Sequence, residues 1–93
     1  MFDTIGLECF EGMKAYRSLY GDPDQVRMFR PDCNMQRLSD SMHRLHFECY
    51  DFNQHELLEC IKELVRVDKD WIPDGEGYSL YIRPTMIGTN PFL

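Results

Sequence analysis

EGMKAYRSLYGDPDQVRMF, Glu11 to Phe29, carries two β-rich stretches around a cluster of turn residues. Glu11 to Tyr20 reads as one strand, and Gly21 to Gln25 supplies Gly, Asp and Pro for a turn. Val26 to Phe29 then alternates as a return strand, so an antiparallel hairpin is expected. Its second residue is the anomaly. Glycine loses more backbone entropy on ordering than any other residue and offers nothing to pack. Gly12 therefore marks a bend in the chain or the close approach of another group.

Beyond the hairpin, Pro31 ends the strand and Asn34 is placed to cap a helix. Met35, Leu38, Met42 and Leu45 recur at intervals of three and four, the apolar stripe of an amphipathic helix. A second helix opens at Asn53, with Glu56 at the position that completes a capping box. Leu57, Leu58, Ile61, Leu64 and Val65 form its expected buried face. Pro73, Gly75 and Gly77 forbid its continuation. The chain closes on YSLYIRPTMIG, an alternating strand. The order hairpin, two helices, strand predicts an α+β fold, a small antiparallel sheet with two helices on one face.

The 93 residues suffice for a single domain with one modest core. Hydrophobic content of 43% with 13% aromatic residues fits a folded protein, and a net charge of −6 leaves no footprint for nucleic-acid phosphates. Cys9, Cys33, Cys49 and Cys60 are irregularly spaced, without a Cys-x-x-Cys pair. Reduced thiols fit this better than a zinc site or a disulfide framework. No apolar stretch reaches the roughly 18 residues of a membrane span, and no signal peptide is recognisable.

The final strand carries the first chemical candidates. A period of two sets Ser79, Tyr81 and Arg83 on one face and Leu80 and Ile82 on the other. A phenol beside a guanidinium makes a carboxylate receptor, with a two-donor fork and one further hydroxyl. A solvated strand face reads the same way by spacing alone. Arg37 falls at the third position after the expected cap Asn34. A cation there opposes the helix dipole unless an anion sits at the helix end, and an exposed arginine is the other reading. His43, His46 and His55 lack metal-ligand spacing, and no phosphate loop or nucleophile motif is present. Lys14 is a poor nucleophile, because nearby Glu11 favours its charged form.

Four segments, FEGMKAY, FRPDCNMQRL, ELLECIKELVRVDKDWIP and SLYIRPTMIG, together resemble the small N-terminal domain of branched-chain amino acid aminotransferases. These are pyridoxal phosphate enzymes of fold type IV. The resemblance runs from about Gly6 to Pro91, and Asp-Lys-Asp-Trp-x-Pro resembles the eukaryotic branch. It implies that Phe10 is an apolar wall beside the substrate's branched side chain and that Gly12 leaves room there. Arg37 would hold the cofactor phosphate. Tyr81 and Arg83 would read the substrate, the arginine pairing with the distal carboxylate of glutamate or 2-oxoglutarate. The lysine that such enzymes join to the cofactor belongs to a later, larger domain, so Lys14 is not its counterpart and residues 1–93 supply no catalytic lysine.

The resemblance also implies branched-chain amino acids as substrates, a homodimer, and no nucleic-acid or membrane partner. A cytoplasmic location is expected, or a mitochondrial one. There are departures. Ile5 stands where the family usually has a tyrosine, and LHFECYDFNQHELLE is about two residues longer than the family pattern. With the large domain absent, the isolated chain is expected to be inactive. Its apolar ends, Met1-Phe2 and Pro91-Phe92-Leu93, are expected to promote self-association. The competing reading is a non-catalytic relic that acts as an interaction or dimerisation module.

Overall fold

The structure is a computed structural model that describes residues 8–22 and 25–88. Ile5 and the apolar ends lie outside the described residues, as do Pro23 and Asp24 of the turn. The element order is β1 (Glu8–Phe10), β2 (Met13–Arg17), β3 (Val26–Met28), α1 (Pro31–Arg44), α2 (Gln54–Val67), a 3-10 turn (Lys69–Trp71), β4 (Leu80–Ile82) and β5 (Thr85–Ile87). This is the expected α+β arrangement, with its strands divided between two antiparallel sheets.

The hairpin forms where it is expected. β2 pairs with β3 in the register Ala15–Met28 and Arg17–Val26. Below it, the Ser18 amide donates to the Gln25 carbonyl at 2.9 Å. The strand expected from Glu11 to Tyr20 is confined to Met13–Arg17, however, with a break at Glu11-Gly12 between it and β1, and the expected final strand is broken at Arg83-Pro84. The two breaks face each other. Before the bend, β1 pairs with β5; after it, β2 pairs with β4, giving a two-stranded sheet and a β3-β2-β4 sheet. Proline offers no amide to a ladder, so the break at Pro84 has a local cause. The Glu11 amide bridges the junction by donating to the Pro84 carbonyl at 3.1 Å.

Both helices cover one face of the three-stranded sheet. Met13 of β2 packs with Met35 of α1 and Leu58 and Ile61 of α2. Cys9, Leu38 and Met42 extend this core beneath β1, and Ala15, Val65 and Ile72 extend it toward the end of α2. Each fully buried Met, Leu or Ile is worth roughly 1.5–3 kcal/mol of transfer free energy. Arg17 ties β2 to the 3-10 turn after α2, donating from Nε to the Ile72 carbonyl at 2.7 Å and from Nη2 to the Lys69 carbonyl at 2.8 Å.

Three local expectations need correction. Helix α1 begins at Pro31, three residues before the expected cap, with Arg30 preceding it in the left-handed region at φ 45°. Pro31 ends the preceding strand and also opens the helix, since its missing amide costs nothing in the first turn. Leu45 caps α1 and is partly exposed, and Leu64 is 56% exposed, so neither belongs to the core. Asn53 does cap α2, accepting from the Glu56 amide at 3.0 Å.

Candidate functional site

The site lies where the two sheets meet, on the face opposite the helices. Alternation along β2 buries Met13 and Ala15 and turns Lys14 and Tyr16 outward. Lys14 is paired in register with Tyr81, which sets the Tyr81 ring above the neighbouring bend. A Cβ at Gly12 would fall against the Tyr81 hydroxyl and within 3.0 and 3.1 Å of two of its ring carbons. The glycine is thus explained twice over. The chain bends there, and an aromatic side chain fills the space a larger residue would take.

Arg83 follows β4 at the break. Its guanidinium carbon lies 4.3 Å from the centre of the Phe10 ring and 5.4 Å from that of Tyr81. Its Nη2 is 3.5 Å from the Tyr81 hydroxyl, a long contact. Among the described residues only the Tyr81 hydroxyl takes one of its five N–H donors, which leaves the others available to a ligand. Phe10, Gly12, Tyr81 and Arg83 therefore form one group in space, with Phe10 and Tyr81 each about half exposed.

Arg37 reaches the same region by a different route. Because α1 starts at Pro31, Arg37 stands in the second turn and not the first. The expectation that it marks an anion at the helix end is corrected accordingly. Its partner is Glu11, whose Oε1 accepts from Arg37 Nη2 at 2.7 Å and Nε at 3.2 Å. Asn34, buried one helical turn before Arg37, donates from Nδ2 to the same Glu11 oxygen at 3.0 Å and to the Gly12 carbonyl at 3.1 Å. The carboxylate acceptor pushes the Arg37 guanidinium pKa further above its ordinary value.

Glu11 accordingly faces Arg37 and Asn34. Glu11 and Asn34 are the site residues that sequence reading missed. The available signal was the spacing of Asn34 and Arg37, three apart on one helix face and able to reach a shared partner.

An open hollow of about 520 Å³ is lined by Gly12, Lys14, Tyr16, Cys33, Arg37 and Tyr81, among others. It has room for an anionic group beside three cations, Lys14, Arg30 and Arg37. Cys9, Cys33, Cys49 and Cys60 are free thiols, of which only Cys9 is buried. Among the described residues, no group of three or more His, Cys, Asp or Glu is arranged to hold a metal ion, and no helix is long and apolar enough to cross a membrane.

No protein-family profile matches the chain. Individual proteins do. The chain is 61% identical over 87 residues to a branched-chain-amino-acid aminotransferase of Monosiga brevicollis, and 54% identical to the mitochondrial one of Mus musculus. Each match covers 94% of this chain and 21% of the relative. It is also 51% identical over 88 residues to branched-chain-amino-acid aminotransferase 2 of Bacillus subtilis, covering 95% of this chain and 23% of that protein. The chain therefore spans about a fifth of the length of these relatives. The motif resemblance extends to strong identity along nearly all of it.

Proposed function

We propose that this chain is the small N-terminal domain of a branched-chain-amino-acid aminotransferase, bearing the substrate side of its active site. The complete enzyme moves an amino group between leucine, isoleucine or valine and 2-oxoglutarate. The observation that carries this reading is the convergence of Phe10, Gly12, Tyr81 and Arg83 at one bend, in a chain so similar to proteins of that name.

Phe10 offers the branched side chain an apolar wall. Tyr81 and Arg83 offer hydrogen-bond donors to the distal carboxylate of glutamate or 2-oxoglutarate. An apolar and an anionic side chain can thus share one pocket, each meeting a different part of its wall. Pyridoxal phosphate, when bound, would supply the aldehyde that takes up the amino group and the electron-poor ring that draws off charge. This chain's contribution to holding it is Arg37. A guanidinium has five N–H donors; Glu11 takes two, and among the described residues nothing takes the other three, which suit a phosphate.

The isolated chain is expected to be inactive, since it contributes no lysine for the cofactor; its own Lys14 is exposed. The complete protein is proposed to be a homodimer. Relatives include both mitochondrial and cytosolic forms, and the cytoplasm is the compartment proposed here. The test is to supply the full-length protein carrying this chain with leucine, 2-oxoglutarate and pyridoxal phosphate. Glutamate and the 2-oxo acid of leucine should appear together in equal amounts. A folded, cofactor-loaded protein that forms neither would overturn the reading.

A further inference from the structure

The bend at Glu11-Gly12 is held from two sides. The Pro84 carbonyl receives the Glu11 amide, and Asn34 donates to both the Glu11 carboxylate and the Gly12 carbonyl. The Glu11 side chain is only 11% exposed, whereas Arg37 is 65% exposed. An exposed arginine is therefore gripped by a carboxylate that is itself held in place. Glu11 engages the edge of the guanidinium formed by Nε and Nη2. It lines a separate hollow with Asp40 and Arg44, while Arg37 borders both that hollow and the one beside Gly12 and Tyr81. Glu11 thus stays outside the space in which an anion would meet Tyr81 and Gly12.

We propose that Glu11 is a positioning residue for Arg37: pinned by Asn34, it holds one edge of the guanidinium so that the opposite edge is presented to a phosphate monoester. This rests on the reading above that Arg37 carries the cofactor phosphate. Two effects of Glu11 oppose each other, since its charge repels a phosphate while its grip orders the arginine. Orientation dominates, because the carboxylate is set back from the hollow and the Arg37 charge lies between it and the anion. The same Asn34 reaches Gly12, so the phosphate side and the substrate side of the site share one strut.

The test uses the full-length protein with Glu11→Gln, Arg37→Lys and the double variant, comparing affinity for pyridoxal phosphate with affinity for pyridoxal, which lacks the phosphate. Glu11→Gln is expected to weaken pyridoxal phosphate about tenfold, within the coupling range of networked residues, and to leave pyridoxal unchanged. In the Arg37→Lys background it should change neither, because an ammonium has no planar edge to orient. Glu11→Asp, which withdraws the carboxylate by one methylene, should reproduce the phosphate-selective loss if Glu11→Gln does not fold. Equal weakening of both ligands, the same loss in both backgrounds, or tighter phosphate binding would each overturn the positioning role. If Arg37→Lys itself leaves pyridoxal phosphate affinity unchanged, the phosphate reading falls, and this proposal falls with it.

Discussion

Arg83 stacks on Phe10, its guanidinium carbon 4.3 Å from the ring centre, and so joins the two sheets at their shared break. Phe10 ends β1 and Arg83 follows β4, strands with no ladder between them. The contact therefore belongs to the junction itself. An exposed cation–π pair is worth about 0.5–1 kcal/mol, too little to hold the sheets together. The Glu11 amide bonded to the Pro84 carbonyl and the helices beneath carry that load. What the stack does is set the height of the guanidinium above an apolar surface.

Gly12→Ala should damage the site more than the fold. The new Cβ would meet the end of the Tyr81 side chain, which is half exposed and free to swing away. Stability should fall by about 1 kcal/mol or less, within the range for a tolerated rotamer change. Tyr81 would be displaced from Arg83, and binding of 2-oxoglutarate to the full-length protein should weaken. A thermal melt paired with a binding titration checks this; a large loss of stability with unchanged binding would contradict it.

Leu38→Ala and Leu64→Ala should differ sharply, although both leucines fit an apolar helical stripe. Leu38 is fully buried against Cys9 and Met42, whereas Leu64 is mostly exposed. The first substitution should cost about 2–5 kcal/mol and the second less than about 0.5 kcal/mol. Urea midpoints measured side by side decide it.

The sequence displayed what was local. The hairpin and the Asn53 cap each rest on residues within a few positions of one another, and both are found. Leu64 was misleading because periodicity shows which face of a helix is apolar but not how wide a surface the neighbouring layer covers. Here that layer is a small sheet of short strands. Asn34 was misread because one residue type suits a cap and a buried bridge equally well, and only the position of Glu11 decides between them. The grouping of Gly12 with Tyr81 depends on the pairing of Lys14 with Tyr81, a register between residues far apart in sequence. Resemblance to a family put these residues together; composition and spacing could not have done so.

Cys9 should make stability fall at alkaline pH. Burial, aided by the Glu11 charge, pushes its thiol pKa up. The folded state then holds the proton more tightly than the unfolded chain does. This contribution is fully present below the ordinary thiol value of about 8.5 and is lost as pH rises through the raised value. Urea stability of the wild type should decline more steeply between pH 8 and 10 than that of Cys9→Ala, while at neutral pH an alkylating reagent should modify Cys33, Cys49 and Cys60 ahead of Cys9. Parallel pH profiles for the two proteins would show that the thiol carries no such linkage.

Arg83→Ala and Phe10→Leu together test how one pocket serves two kinds of side chain. On the proposed function, removing the guanidinium takes away the donor for the distal carboxylate of glutamate, a charge-assisted contact of roughly 1.5–3 kcal/mol. The glutamate half-reaction should slow about tenfold or more. Leucine makes no such contact and should lose little. Phe10→Leu keeps the wall apolar but removes the ring on which Arg83 is stacked, so the arginine loses its fixed height. That variant should also impair glutamate more than leucine, by a smaller factor, since only the 0.5–1 kcal/mol of the stack is at stake. Single-turnover absorbance of the full-length, cofactor-loaded protein, with each amino acid supplied alone, separates the two half-reactions. Equal losses for leucine and glutamate in both variants would mean that Arg83 and Phe10 act as one undivided surface, and the division between apolar wall and anion donor would have to be given up.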